Sequence, residues 1–220
     1  MTTKTRGRIT FVFDDGYQHI YDQVVPLLEE YRFPGVFAIP LDAGAIERTE
    51  HRPTHPWRTW LQLRSRGHEI AAHSISHVNL TQVSNKALDQ ELREPAQRLQ
   101  AHTLVYPGGA CDQRVAAAAA TYYRAARTTR RGFESRVPDS PLQLKTFNFT
   151  RNNFSPFRAN RLALWAFLTN QWIIETYHLV DDQETEKEHA VPLTGFRRHL
   201  RFVSQLPLQC STIAQALQQL

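Results

Sequence analysis

Short apolar runs alternate along the chain with stretches in which apolar residues recur every three or four positions. The runs predict strands at Ile9 to Phe13, Val36 to Ile39, Glu69 to Ala72, Leu104 to Tyr106, Ala125 to Thr129, Phe147 to Thr150 and Trp172 to Leu179. The periodic stretches predict helices. Ile20 to Tyr31 carries a stripe of Tyr21, Val24, Val25, Leu27 and Leu28, and Trp57 to Arg66 stops at Gly67. Asn85 to Gln100 follows the capping Ser84 and contains a kinking Pro95. Val115 to Tyr123 holds an alanine run, Asn160 to Leu168 is helical, and helices near Gly195 to Ser204 and Thr212 to Gln219 close the chain. Gly132 to Leu144 and the charged Asp181 to Glu188 read as loops. Repeated strand-helix units imply a parallel sheet flanked by helices, and seven of them suggest a barrel. Residues 1–220 read as one α/β domain, with Trp165 and Trp172 as core residues.

Composition agrees with a folded domain: 220 residues, of which 41% are hydrophobic, leave room for a sizeable core. Met1 to Arg8 is polar and basic, the first apolar run is too short for a signal peptide, and nothing approaches a membrane span. The chain as given therefore reads as cytoplasmic, although a trimmed exported protein would look the same. Cys111 and Cys210 form no metal-ligand pair and read as free thiols. The net charge of +5 would suit an anionic glycan, but the arginines are scattered, and no clustered basic and aromatic face marks a nucleic-acid binder.

The first strand ends in "FVFDDGY", two adjacent carboxylates, Asp14 and Asp15. Like charges this close repel unless a cation stands by. After the third strand comes "HEIAAHSISH", with His73 and His77 four apart; a helical turn there would put both imidazoles on one face, as in many metal clamps. One Asp and two His form a common metal set with open positions. After the fourth strand, "VYPGG" offers backbone N–H groups without side-chain hindrance, either an oxyanion hole or a plain turn. His178, in "ETYHLV", is either a satisfied core histidine or a group at the catalytic rim. Tyr17 and His19 either line the cleft or start a helix. In a barrel these segments gather at the C-terminal strand ends, where barrel active sites lie.

Together the four segments resemble the polysaccharide deacetylases, the NodB-homology or carbohydrate esterase family 4 group. "TFVFDDGY" is similar to the family's T-F-D-D-G motif, "HSISH" matches its H-[ST]-x-x-H motif in full, and "VYPGG" and "ETYHLV" resemble its third and last. The resemblance spans nearly the whole chain. It implies a distorted (β/α)7 barrel, resembling a TIM barrel, that removes N- or O-acetyl groups from a carbohydrate with a divalent metal, zinc foremost, with cobalt or nickel as alternatives. It implies Asp15, His73 and His77 as metal ligands and Asp14 as the base that takes a proton from water. It implies the Gly108 N–H as an oxyanion donor and His178 as general acid. Val105 stands where the family often carries the arginine that orients the base. Arg151 is the first candidate to replace it and Arg127 the second, each with a plain surface arginine as the alternative. The family's fourth motif finds no clear counterpart. Two other readings stay open: an amide hydrolase acting on a non-sugar small molecule, and a catalytically silent glycan-binding domain. Intact Asp14, Asp15, His73, His77 and His178 weigh against the second.

Overall fold

The computed structural model describes residues 6–183 and 188–218. Its main strands are β1 (Arg8–Phe13), β2 (Gly35–Ile39), β3 (Glu69–Ala72), β4 (Thr103–Val105), β5 (Ala125–Arg131), β6 (Leu144–Asn148) and β7 (Trp172–Tyr177). They are parallel and neighbour one another in sequence order, and β7 pairs back onto β1 along its length, from Arg8↔Trp172 to Phe13↔Tyr177. The sheet is thus a closed seven-stranded barrel. It is distorted: β3 and β4 share a single residue pair, Ala72↔Leu104, and β5 slips against β6 between Arg127 and Arg131. Three short strands complete the set: β8 (Leu179–Val180), β9 (Ala190–Val191) and β10 (Gln209–Cys210), the last added to β1.

The helices are α1 (Val25–Glu30), α2 (Ala43–Glu50), α3 (Trp57–Trp60), α4 (Asn85–Arg98), α5 (Gln113–Ala119), α6 (Pro156–Thr169), α7 (Leu193–Val203) and α8 (Ile213–Gln218). Local signals account for several of their ends. Ser84 Oγ accepts from Ala87 N–H at 3.3 Å to start α4, and Gly67, at φ 88°, ends the Trp57 to Arg66 segment. That segment is α-helical only to Trp60 and then tightens into a 3-10 turn. Ile20–Val24 is a π-helical turn that leads into α1. Pro95 sits buried inside α4, which continues to Arg98.

Alternation along each strand decides which side chains enter the barrel. Val12, Val36, Ala38, Ala71, Val105, Ala125, Leu144, Trp172 and Ile174 fill the lumen, with Ile213 and Ala216 of α8 closing its floor. Each large apolar side chain so buried contributes about 1.5–3 kcal/mol. The floor also holds polar groups with partners: Arg8 Nη1 donates to the Ala216 carbonyl at 2.8 Å, and the Trp172 indole N–H donates to Thr10 Oγ1 at 3.0 Å.

The structure differs from the sequence expectations at several points. Residues 73–79 form no helix. Trp172 is buried as expected, but Trp165 is exposed. Helix α2 and the β8–β9 pair were not anticipated. The expected Asp181 to Glu188 loop and the final helix extend partly outside the described residues, at 184–187 and Gln219.

Candidate metal centre and active site

The next inward position beyond the lumen-filling residues carries the polar groups: Asp14 after Val12, His73 after Ala71, Arg127 after Ala125, and His178 two places beyond Thr176. The chemistry therefore gathers at the barrel mouth by strand parity alone.

Asp15 leaves the strand through a left-handed residue, at φ 74°, and this turns its carboxylate away from Asp14's direction. Asp15 Oδ1 lies 3.4 Å from His73 Nε2 and 3.4 Å from His77 Nε2. The three ligand atoms all fall within 4.8 Å of one another, the one such His, Cys, Asp or Glu grouping among the described residues. Ligands about 2.0–2.1 Å from a tetrahedral ion stand about 3.4 Å apart, so the spacing fits a divalent cation. Buried Asp15 Oδ1 has no hydrogen-bond partner, as a ligand atom should. His73 Nδ1 sits 2.7 Å from the Val105 carbonyl. A carbonyl can only accept, so Nδ1 carries the proton and Nε2 turns its lone pair toward Asp15 and His77.

The electrostatics of Asp15 and His77 agree. Burial pushes the Asp15 carboxyl up, but the His73 imidazole and the charges of His178 and His77 outweigh it and hold the group well below the usual carboxylate range. Burial lowers His77 to about 4, helped by the charge of His73, so His77 is neutral at neutral pH as a ligand must be. For His73 burial works downward, but Asp15 and Asp14 raise it above the ordinary value.

The two histidines meet without the helix that their spacing suggested. Ser74 and His77 both adopt left-handed conformations, φ 62° and 56°, and Ser74 Oγ accepts from the His77 N–H at 2.9 Å. Side chains with a Cβ resist such angles, so the turn needs support, which Glu91 of α4 supplies. Its Oε2 accepts from the N–H groups of Ile75 at 2.7 Å and Ser76 at 3.1 Å, and its Oε1 accepts from Ser76 Oγ at 2.7 Å. The sequence reading missed this residue. Its signal is a carboxylate on the face that α4 buries, one turn from Leu88 and Pro95. Glu91→Ala should weaken divalent-ion affinity about 10- to 100-fold, the usual cost of losing an outer partner. A chelator-competition titration measures this, and unchanged affinity would mean that the loop holds itself.

Asp14 stays in line with the strand, its N–H donating to the Tyr177 carbonyl at 3.0 Å. Its Oδ2 accepts from Arg127 Nη2 and lies 3.6 Å from His178 Nε2, while its Oδ1 is buried without a partner. Arg127 is fully buried and pairs in register with Val105, so it delivers its guanidinium from the strand next to Val105. This reverses the expected order of the two arginines. Arg151 lies exposed on the turn beyond β6, past the last inward position of that strand, with its N–H on the Glu188 carbonyl at 2.9 Å.

His178 follows β7 directly, with a side chain 17% exposed, and its ring lies 5.0 Å from that of His189. His189 follows the charged loop, and nothing in the sequence pattern marked it. Burial lowers the His178 pKa, partly offset by the charges of Asp15 and Asp14. Beyond β4, Pro107–Gly109 forms a tight turn with Gly108 at φ 60°. Gly109 is obligatory there, because a Cβ would sit 2.2 Å from Thr129 Oγ1, whereas the space beside Gly108 is open. Tyr17 is buried near Asp15, which with burial raises its phenol far above the usual value. His19 is lowered to about 4, chiefly by burial, and its Nε2 accepts from Val180 N–H at 3.4 Å, a role in holding β8. Cys111 and Cys210 are free thiols.

The family model for polysaccharide deacetylases matches residues 2–126. No curated protein matches the sequence significantly. Among solved structures, the Xyl-CE4 domain of a multidomain xylanase from the hindgut metagenome of Trinervitermes trinervoides is 15% identical, with a TM-score of 0.63, over 97% of this chain and 91% of that one. The family 4 carbohydrate esterase from Streptomyces lividans, in complex with acetate, is 15% identical with a TM-score of 0.61, over 94% and 93%. A deacetylase from Streptococcus pyogenes, also in complex with acetate, is 20% identical with a TM-score of 0.54, over 62% of each chain. These likenesses bear out the barrel fold.

Proposed function

The chain belongs to the polysaccharide deacetylase family, and from that premise we propose that it is a divalent-metal-dependent hydrolase removing acetyl groups, N-acetyl foremost, from a carbohydrate. The observation that carries the reading is the split of the two carboxylates. Asp15 faces two imidazoles at ligand spacing, while Asp14, its neighbour in sequence, faces Arg127 and His178. A glycan-binding module has no need of that division.

In this reading Asp15, His73 and His77 hold the ion, zinc foremost. Such an ion supplies a Lewis acid that polarises an acetyl carbonyl and acidifies water. Asp14 is the base. Arg127 occupies its Oδ2, so the unpartnered Oδ1 is the oxygen free to take the water's proton. The Gly109 N–H is spent on the Tyr106 carbonyl at 2.8 Å, which leaves the Gly108 N–H as the turn's donor for an acetyl oxygen gaining negative charge. His178 is the general acid. Burial disfavours its charge, the nearby carboxylates of Asp15 and Asp14 partly offset this, and the proton it passes to the leaving nitrogen comes from solvent.

The test is an acetate-release assay on metal-loaded protein with chitooligosaccharides, peptidoglycan fragments, acetylxylan and simple N-acetyl amides. Release from the small amides alone would favour the non-sugar amide hydrolase instead. His178→Ala should slow an N-acetyl substrate at least roughly a hundredfold but an activated aryl acetate about tenfold or less, because a phenolate leaves without a proton. Metal content should not change. Equal slowing of both substrates would remove the general-acid role.

A further inference from the structure

Helix α6 is packed with its small residues inward and its large ones outward. Ala159, Ala163 and Ala166 are its buried positions. Phe157 is 71% exposed, Trp165 55%, Leu168 53% and Leu164 37%. With Arg161, these residues fall at i, i+4, i+7, i+8 and i+11, a single stripe down the solvent side. Alanines let the helix approach the barrel closely. They do not explain a row of large apolar side chains facing out.

The flank is open because the fifth strand-helix unit has no helix. β5 joins β6 through residues 132–143, whose only regular piece is the 3-10 turn Pro141–Gln143. Beside α6 this leaves a groove of about 590 Å³, walled by Phe133, Leu162 and most of the stripe. Arg131, Arg158 and Arg161 also line it, and no Asp or Glu does.

We propose that this flank docks on an anionic lipid bilayer. The helix would lie in the headgroup plane, with Phe157, Leu164, Trp165 and Leu168 entering the apolar layer and the three arginines on acidic headgroups. Aromatic and leucine side chains on one edge, with arginines alongside, are what such a surface recognises. Charge argues against a second copy of the chain, because pairing two such faces would bring both sets of arginines together with no carboxylate between them. Shape argues against a partner helix. A helix seated in the groove would leave Phe157, the most exposed apolar residue of the stripe, uncovered, because it lies outside the groove lining. No described helix is long and apolar enough to cross a membrane, so contact would be superficial. Like other barrel helices, α6 runs back from mouth to floor, so a docked flank leaves the mouth open at the side. The inference rests on the fold and not on the reaction.

The full chain should sediment with vesicles of phosphatidylcholine mixed equally with phosphatidylglycerol, not with phosphatidylcholine alone, and high salt should release it. Leu164→Ser, Trp165→Ser and Leu168→Ser together should cut partitioning at least about tenfold. Arg158→Glu with Arg161→Glu should cut it at least about 25-fold, about fivefold for each arginine lost. All five positions are removed from the catalytic groups, so acetate release in solution should not change. If the triple variant misfolds by circular dichroism, the arginine pair carries the test alone. Absence of binding to the anionic vesicles, or binding unaffected by the arginine changes, overturns the proposal. So does a dimer in light scattering that Trp165→Ser splits, which would assign the face to self-association.

Discussion

His73→Ala should leave the protein folded but without its divalent ion. His73 is nearly fully buried, and its Nε2 is one of three atoms that face one another at ligand spacing. Its removal leaves one carboxylate and one imidazole, too few to hold an ion against water. The affinity loss should exceed the 10- to 100-fold typical of an outer partner. Elemental analysis of protein purified without chelator should give about one equivalent for the parent, the single-site expectation, and close to none for the variant. The variant also strips the Val105 carbonyl of its partner, at a cost of about 1 kcal/mol, too little to unfold a domain of this size. Full metal content in a folded variant would mean that the ion sits elsewhere or nowhere.

Asp14→Asn should do the reverse, keeping the metal and losing turnover by about 10²- to 10⁴-fold, the usual cost of removing a general base. The amide is nearly isosteric and can still meet Arg127 through its oxygen, but it cannot take a proton. Asp15→Asn, one residue on, should instead weaken metal binding. The two neighbours differ because the chain turns left-handed at Asp15 and sends the carboxylates to different partners. Equal metal loss in both variants would contradict the division of labour between them.

The strands were legible in the sequence because a barrel lumen demands apolar residues at alternate positions; the sixth was the exception, since β6 runs Leu144–Asn148 where Phe147 to Thr150 was expected. Legible with them was the position of Asp14, His73 and His178 at the mouth, since each ends such a run. Arg127 was harder. It lies in "RAARTTRR", where four arginines look alike in sequence. Only its inward parity and its register opposite Val105 separate it from the exposed ones. The shape of the His73 to His77 turn was not legible, because a spacing of four suits a helix as well as a turn. What distinguishes them is a left-handed backbone at Ser74 and His77, stabilised from α4 by Glu91, a contact across sixteen residues for Ile75. Trp165 was read as core because an apolar stripe ordinarily faces inward. Here the alanines of α6 took that side.

The most direct measurement follows acetate release from chitooligosaccharides by one preparation through three states: as purified, after exhaustive chelation, and after reloading with one equivalent of zinc. Release should be lost on chelation and return on reloading, with the circular dichroism spectrum unchanged throughout. Release that survives chelation, in protein shown by elemental analysis to hold no metal, would contradict a metal-dependent deacetylase built on Asp15, His73 and His77.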